Sequence, residues 1–395
     1  MARDPASYAG REQAHVKHYL LESYLERLIY KTAHRYDHIV YVDGYSGPWL
    51  SQQEDLGDTS FGIALAALRK AKETWKGMGR NVKMSAILVE KSRQAFERLE
   101  KVPPKYPDIE LSLIKGDFRE NVGTIVSRIP EAAFSFVLID PKGWRINLRD
   151  LAPLIARPNA EVVFNFMFEF INRAAAMSDR AVATALDELI PTSNWRANLS
   201  NADSPHARKA VLISAFSESL ANVGCYPFVA ETPVLRPIKD RTLYSLIFGT
   251  RKPVGLEVFR DCQVKTLVEQ SNVRGRAKID AAEVKSGQTE MFESLHDLGA
   301  DPSVIERAQE IEAARRLVLE LVPLAPEHVT YGEVWPQVLA RRVVRKTEVG
   351  AIAATLRKEG DLTFLDWGPR KSRPADEYRV CRPTALNPHP SSAPR

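Results

Sequence analysis

Three scarce features set the first limits on this chain. Its 395 residues hold three cysteines, Cys225, Cys262 and Cys381. They are far apart, odd in number and without C-x-x-C spacing, which excludes a disulfide framework and a cysteine metal site and leaves buried, reduced thiols as the expectation. No apolar run approaches the roughly 20 residues of a membrane span. The opening stretch "MARDPASYAGREQAHVKHYLL" is charged throughout and lacks the apolar core of a secretory signal, so a cytoplasmic location away from membranes is expected. Neither G-x-G-x-x-G nor G-x-x-x-x-G-K-[ST] occurs, which excludes the usual dinucleotide and nucleoside-triphosphate cradles.

The net charge of +5 has an address. From Thr330 onward twelve basic residues face seven acids, and 12 minus 7 accounts for the whole excess. Residues 1–329 are neutral as a block, and the basic character belongs to the C-terminal segment. A chain of this length exceeds one typical core, so a large domain with a smaller second one is expected.

Up to about residue 250, short apolar runs alternate with amphipathic stretches, the pattern of βαβ units around a mostly parallel sheet. Strands are expected at Ile39–Asp43, Ser85–Glu90, Glu110–Lys115, Ser135–Asp140, Glu161–Phe166, Tyr226–Val234 and Leu243–Thr250. Helices are expected at His15–Tyr30, Thr59–Trp75 and Lys91–Lys101. A helical insert, about 168–224, separates the fifth strand from the last two; it either shapes a pocket or covers one. The α/β domain so defined spans 1–270, followed by a helical linker over 271–325, with a hinge placed near Ser271 to Gln288. A small basic module covers 326–383 and a disordered tail 384–395.

The chemistry gathers at strand ends. The stretch "IVYVDGYSGPW" runs from a buried strand into Asp43, Gly44, Tyr45 and Gly47, a turn in which glycine lets backbone approach a ligand. Glu90 ends the second strand, Asp117 and Phe118 follow the third, and Asp140, Pro141 and Lys142 follow the fourth. In open α/β sheets ligands bind at the carboxyl ends of the strands, so these residues are expected on one rim. An ionised acid after the second strand suits two ribose hydroxyls. Acid plus aromatic after the third suits an adenine amine and ring face. Asp43 and Glu90 are 47 positions apart, far beyond the roughly 20 of a dinucleotide site. S-adenosylmethionine, an adenosine cofactor without phosphates, fits better. Turn formation alone also explains a single Asp or Gly, and Glu90-Lys91 resembles half of a nuclease E-x-K; the ordered set of four is what favours a cofactor site without metal.

"YVDGYSGPW", "LVEKS", "GDF" and "FVLIDPKGW" stand in the order of the class I methyltransferase motifs, and the set resembles the three-Cys-motif partner family (TcmP). "VKHYLLESYL", "VVFNFMFEFINR" and "YSLIFGTRKPVG" are further matches, and the likeness covers roughly residues 10–260. The resemblance implies an S-adenosylmethionine-dependent methyltransferase-like, Rossmann-like fold. It also implies a partner protein that bears the three-cysteine motif, the cysteines here being coincidental. Asp43, Gly44 and Gly47 would then face the methionine end, Glu90 the ribose, Asp117 the adenine and Asp140 the transfer site. "DPKG" resembles the D-P-P-[YF] that holds an exocyclic amine, with Lys142 in place of the second proline and Trp144 one position late. Trp49 stands where many such turns carry a small residue. A catalytically silent module of the same fold, acting through nucleic acid and a partner protein, is the alternative.

The C-terminal segment has a winged-helix order: a T-x-x-E box at Thr330 and Glu333 opens one helix, Thr347-Glu348 opens a second that ends at Gly360, and two short strands flank the basic turn "GPRKSRP". TcmP-like chains often end in such a module. Arg345, Lys346, Arg357, Lys358, Arg370, Lys371 and Arg373 are its candidate contacts to DNA or RNA phosphates. A protein-docking role, with the same residues solvated, is the other possibility.

Overall fold

The computed structural model describes residues 8, 10–47, 51, 56–286 and 302–384, and the chain divides into two compact units, Met1–Glu293 and Ser294–Arg395.

The first unit is built in chain order from α1 (Glu12–Ala33), β1 (His38–Asp43), α2 (Ser60–Gly77), β2 (Lys83–Glu90), α3 (Arg93–Leu99), β3 (Glu110–Lys115), α4 (Val122–Ser127), β4 (Phe134–Ile139), α5 (Ala152–Ile155) and β5 (Ala160–Phe166). Four helices of the insert follow: α6 (Phe168–Ala174), α7 (Arg180–Leu189), α8 (Trp195–Ser200) and α9 (Pro205–Gly224). The hairpin β6 (Phe228–Leu235) and β7 (Thr242–Thr250) and the long α10 (Pro253–Ser286) complete it. The sheet order is β3-β2-β1-β4-β5-β7-β6. All pairs from β3 to β5 are parallel, and β7 runs antiparallel to both β5 and β6. This is the class I methyltransferase-like, Rossmann-like arrangement expected from the sequence.

The central strands read as continuous apolar runs because both faces of the sheet are covered. Val40, Val42, Val89, Val137 and Phe164 point into a core shared with α4, α5 and the insert. On the opposite face α1 and α10 supply Tyr24 and Phe259, whose rings meet Phe136 and Phe248. Phe216 of α9 packs on Phe164 and Phe166 with centroids 4.7 and 4.6 Å away, so the insert supplies one wall of the core. Boundaries follow local chemistry. Thr59 caps α2, accepting from the Gly62 amide at 3.1 Å. The helix α10 continues through the expected hinge as far as Ser286, and the remainder of that hinge lies outside the described residues.

The second unit contains α11 (Pro302–Leu321), β8 (Val329–Thr330), α12 (Tyr331–Arg341), α13 (Lys346–Glu359), β9 (Thr363–Phe364) and β10 (Arg379–Cys381), with an antiparallel sheet of order β8-β10-β9. The Thr330 amide donates to Glu333 at 2.9 Å, the predicted box. The second helix is capped two residues earlier than expected: Arg345, not Thr347, is the cap, because Glu348 reaches back to the Arg345 amide at 2.7 Å. Gly360 ends that helix in the left-handed region at φ 88°. Cys262 and Cys381 are buried as expected. Cys225 is exposed, since it occupies a left-handed turn just past α9 instead of a core position. Among the described residues no helix is long and apolar enough to cross a membrane. The tail beyond Thr384 and the Pro48-Trp49 turn lie outside the described residues.

Candidate functional site

Parallel register brings the ends of β1, β2, β3 and β4 to one rim, and the loops after them close on a cleft of about 990 Å³. Asp43, Gly44, Tyr45, Gly47, Glu90, Asp117, Phe118, Asp140, Pro141 and Lys142 all line it. The cofactor and transfer candidates, spread over a hundred residues of sequence, are thus brought together. A volume of this size is at the upper end of small-molecule sites.

Asp43 is buried, with its Oδ1 accepting from the Tyr45 amide at 2.9 Å and its Oδ2 from the Tyr41 hydroxyl at 3.0 Å. Burial pushes its carboxyl up to about 6, against the pull of those two donors. Further backbone bonds pin the turn: the Gly44 amide donates to Leu138 O and the Ser46 amide to Val89 O, so the loop is stitched to both neighbouring strands. Gly44 is required by packing. A Cβ there would lie 2.9 Å from the Phe118 ring, so the glycine makes room for that side chain.

Glu90 is 4% exposed, and its Oε1 accepts from the Ser92 amide at 2.6 Å, leaving carboxylate lone pairs for a ligand. Asp117 is clamped: Arg119 donates to both its oxygens at 2.9 Å and Lys91 to Oδ2 at 3.1 Å. That guanidinium holds the Asp117 carboxyl well below the usual carboxylate range. Phe118 departs from the expectation that its face covers an adenine. The ring is 1% exposed and packs under Gly44 and beside Tyr45, centroids 5.6 Å apart, so it serves as floor and not as stacking platform. The hydrophobic environment after β3 claims it first.

Asp140 is held from two sides. Lys17 of α1 donates to its Oδ2 at 2.5 Å and Asn165 of β5 to its Oδ1 at 2.5 Å. Sequence reasoning assigned no role to either partner. Lys17 looks like any solvated charge on an amphipathic helix. Asn165 carried the better signal, a polar residue inside the apolar run "VVFNF", which a buried strand tolerates only with a partner. Trp144, expected as the aromatic of the transfer motif, lines the cleft, and Arg11, His18, Arg145, Phe170 and Tyr244 line it without having been anticipated there.

Asp43 and Glu90 bring buried carboxylate acceptors to the cleft, a set that suits the hydroxyl and cationic groups of a ligand. Among the described residues no group of three or more His, Cys, Asp or Glu side chains gathers for a metal.

The basic candidates of the second unit divide in two. Arg345 pairs with Glu348 at 2.9 Å. Lys346 pairs with Asp376 at 3.0 Å and lies 4.1 Å from the Trp335 ring centroid. Arg357, Lys358, Arg370, Lys371 and Arg373 are exposed, Arg357 stacking on Trp367.

No protein-family model and no curated protein matches the chain. Solved structures with a similar course include a Legionella pneumophila protein (9% identity, 63% of this chain and 90% of that one, TM-score 0.37). A putative methyltransferase from Escherichia coli (10%, 58% and 86%, 0.26) is another. A third is an O-methyltransferase from Bacillus cereus in complex with SAH (13%, 57% and 78%, 0.28). The fold assignment rests on the strand order and directions described above.

Proposed function

We propose that the first unit is an S-adenosylmethionine-dependent methyltransferase of the three-Cys-motif partner type, acting on nucleic acid or on a substrate brought by a partner protein. The observation that carries this is the convergence of Asp43, Glu90, Asp117 and Asp140, each from the end of a different neighbouring strand, on one cleft. When bound there, the cofactor supplies an electrophilic methyl group on a sulfonium. The turn Asp43 to Gly47 holds its amino-acid end and Glu90 accepts from its ribose hydroxyls. Asp117, already gripped by Arg119, would border the adenine. Asp140 and the Pro141 carbonyl orient the acceptor so that its lone pair meets the methyl in line. Positioning of this kind supplies much of a methyl transferase's rate.

The second unit is a winged helix on this view, with α11, α12 and α13 against a three-stranded sheet and the turn between β9 and β10 as the wing. Its exposed Arg370, Lys371 and Arg373 contact nucleic-acid phosphates.

A labelled-methyl assay across DNA, RNA and protein acceptors tests the proposal. Label should enter one class, and Asp140→Ala should reduce incorporation at least tenfold. A specific observation favours a second reading. Both oxygens of Asp140 are already taken by Lys17 and Asn165, the arrangement of a carboxylate retained for structure. Tight cofactor binding with no incorporation into any acceptor selects that catalytically silent module instead.

A further inference from the structure

The cleft is lined by six cations, Arg11, Lys17, Lys91, Arg119, Lys142 and Arg145, of which Lys17 is engaged by Asp140. On the side of β2 and β3, Lys91 and Arg119 are both engaged by Asp117. On the side of β4 the balance differs. Arg11, just before α1, and Arg145, just after β4, both line the cleft, and neither forms an ion pair among the described residues. Their guanidinium carbons instead lie near aromatic rings, Arg11 at 5.8 Å from the centroid of Tyr8 and Arg145 at 5.7 Å from that of Trp144. Two aromatic side chains also line the cleft: Trp144, half-buried and packed in part against the core, and Phe170 of α6, 46% exposed, with Arg173 4.8 Å from its ring centroid.

A sulfonium repels arginine, and the cofactor's single carboxylate can pair with only one of the two. The other suits an anionic acceptor. Cations alone would suit an acidic peptide equally well. An arginine beside an aromatic ring, as Arg145 stands beside Trp144, is instead the pattern by which single strands are held, phosphates on the charge and bases on the ring faces. Duplex bases are stacked and paired, so a base that enters a cleft of this kind must be free of its neighbours.

We propose that the acceptor is a single-stranded nucleic acid, with Arg11 and Arg145 as its phosphate contacts and Trp144 as the platform for the entering base. This deepens the proposed function and rests on it, because the charge argument uses a cationic cofactor.

The test is fluorescence anisotropy with short single-stranded oligothymidylate and oligouridylate on the full chain. Arg370→Ala, Lys371→Ala and Arg373→Ala are present in every arm, so that the second unit's wing does not mask the cleft. Adding Arg11→Ala and Arg145→Ala should weaken binding at least tenfold and make the salt slope shallower by about 1.4, from roughly 0.7 per phosphate contact. Trp144→Leu should weaken binding about fivefold or more for strands with bases and leave an abasic sugar-phosphate strand unaffected. Arg145→Glu alone, at an exposed position, guards against misfolding of the double variant and should also weaken binding. Affinity unchanged in the arginine variants, or polyglutamate bound more tightly than either oligonucleotide, overturns the proposal. S-adenosylmethionine calorimetry on the same proteins separates the two failures. A wild type that takes no cofactor defeats the proposed function, whereas cofactor bound normally with insensitive oligonucleotide binding defeats only this inference.

Discussion

At the scale of single residues, two buried carboxyls carry the electrostatics of the first unit. Asp43, raised to about 6 by burial, is neutral at low pH and ionised at physiological pH. A cationic ligand favours the ionised form, so affinity for S-adenosylmethionine should rise as pH goes from 5 to 7 and then level off. Asp43→Asn should flatten that profile, as calorimetry over the same range would record. Glu161, at the start of β5, accepts from the Tyr24 hydroxyl at 2.5 Å and from the Thr250 hydroxyl at 2.6 Å, and burial pushes its carboxyl from 4.5 up to about 7. A folded value above the unfolded one means that the native state binds the proton more tightly. Stability from this group is therefore full below about 4.5 and lost as pH rises through about 7. Glu161→Gln removes the titration and keeps the shape. Relative to the variant, the wild type should lose up to about 3 kcal/mol between pH 4.5 and 8 in chemical denaturation. Gly44→Ala sets a methyl 2.9 Å from the Phe118 ring and should cost about 1–3 kcal/mol, with part of the loss recovered by Phe118→Leu.

At the scale of elements, caps and strand ends decide where chemistry sits. Removing the Thr59 hydroxyl with Thr59→Ala should cost about 0.5–2 kcal/mol, seen as a lower denaturation midpoint, because the Gly62 amide at the start of α2 loses its acceptor. The strands were legible in the sequence for a physical reason: burial on both faces turns each into an apolar run with an acid or polar stop, and β1 to β5 end within a residue or so of their predicted limits. Pairing was not legible. That β7 lies between β5 and β6 and runs antiparallel to both is a tertiary fact that no local period encodes. The same holds inside the cleft. Asp43, Glu90 and Asp140 announced themselves by their positions after apolar runs. Lys17, which grips Asp140 from 123 residues away, carries no local mark. Phe118 was visible as an aromatic beside an acid, but only packing shows that its ring is spent on Gly44 and Tyr45.

At the scale of the whole molecule, the chain pairs a first unit with a cleft at its strand ends and a second unit whose residues from Thr330 onward are basic. Replacing Arg370, Lys371 and Arg373 with Ala should weaken DNA or RNA binding by the full chain and flatten its salt dependence, and a wild-type slope in that variant counts against nucleic-acid binding by the second unit. The central claim is that four neighbouring strand ends form one adenosyl site. Calorimetric titration of S-adenosylmethionine into the full chain tests it most directly, with Glu90→Ala at the rim and Glu110→Ala at the far end of the sheet for comparison. The account predicts one site per chain in the wild type and in Glu110→Ala, and at least tenfold weaker binding in Glu90→Ala. No binding to the wild type, or equal binding to the two variants, would contradict it.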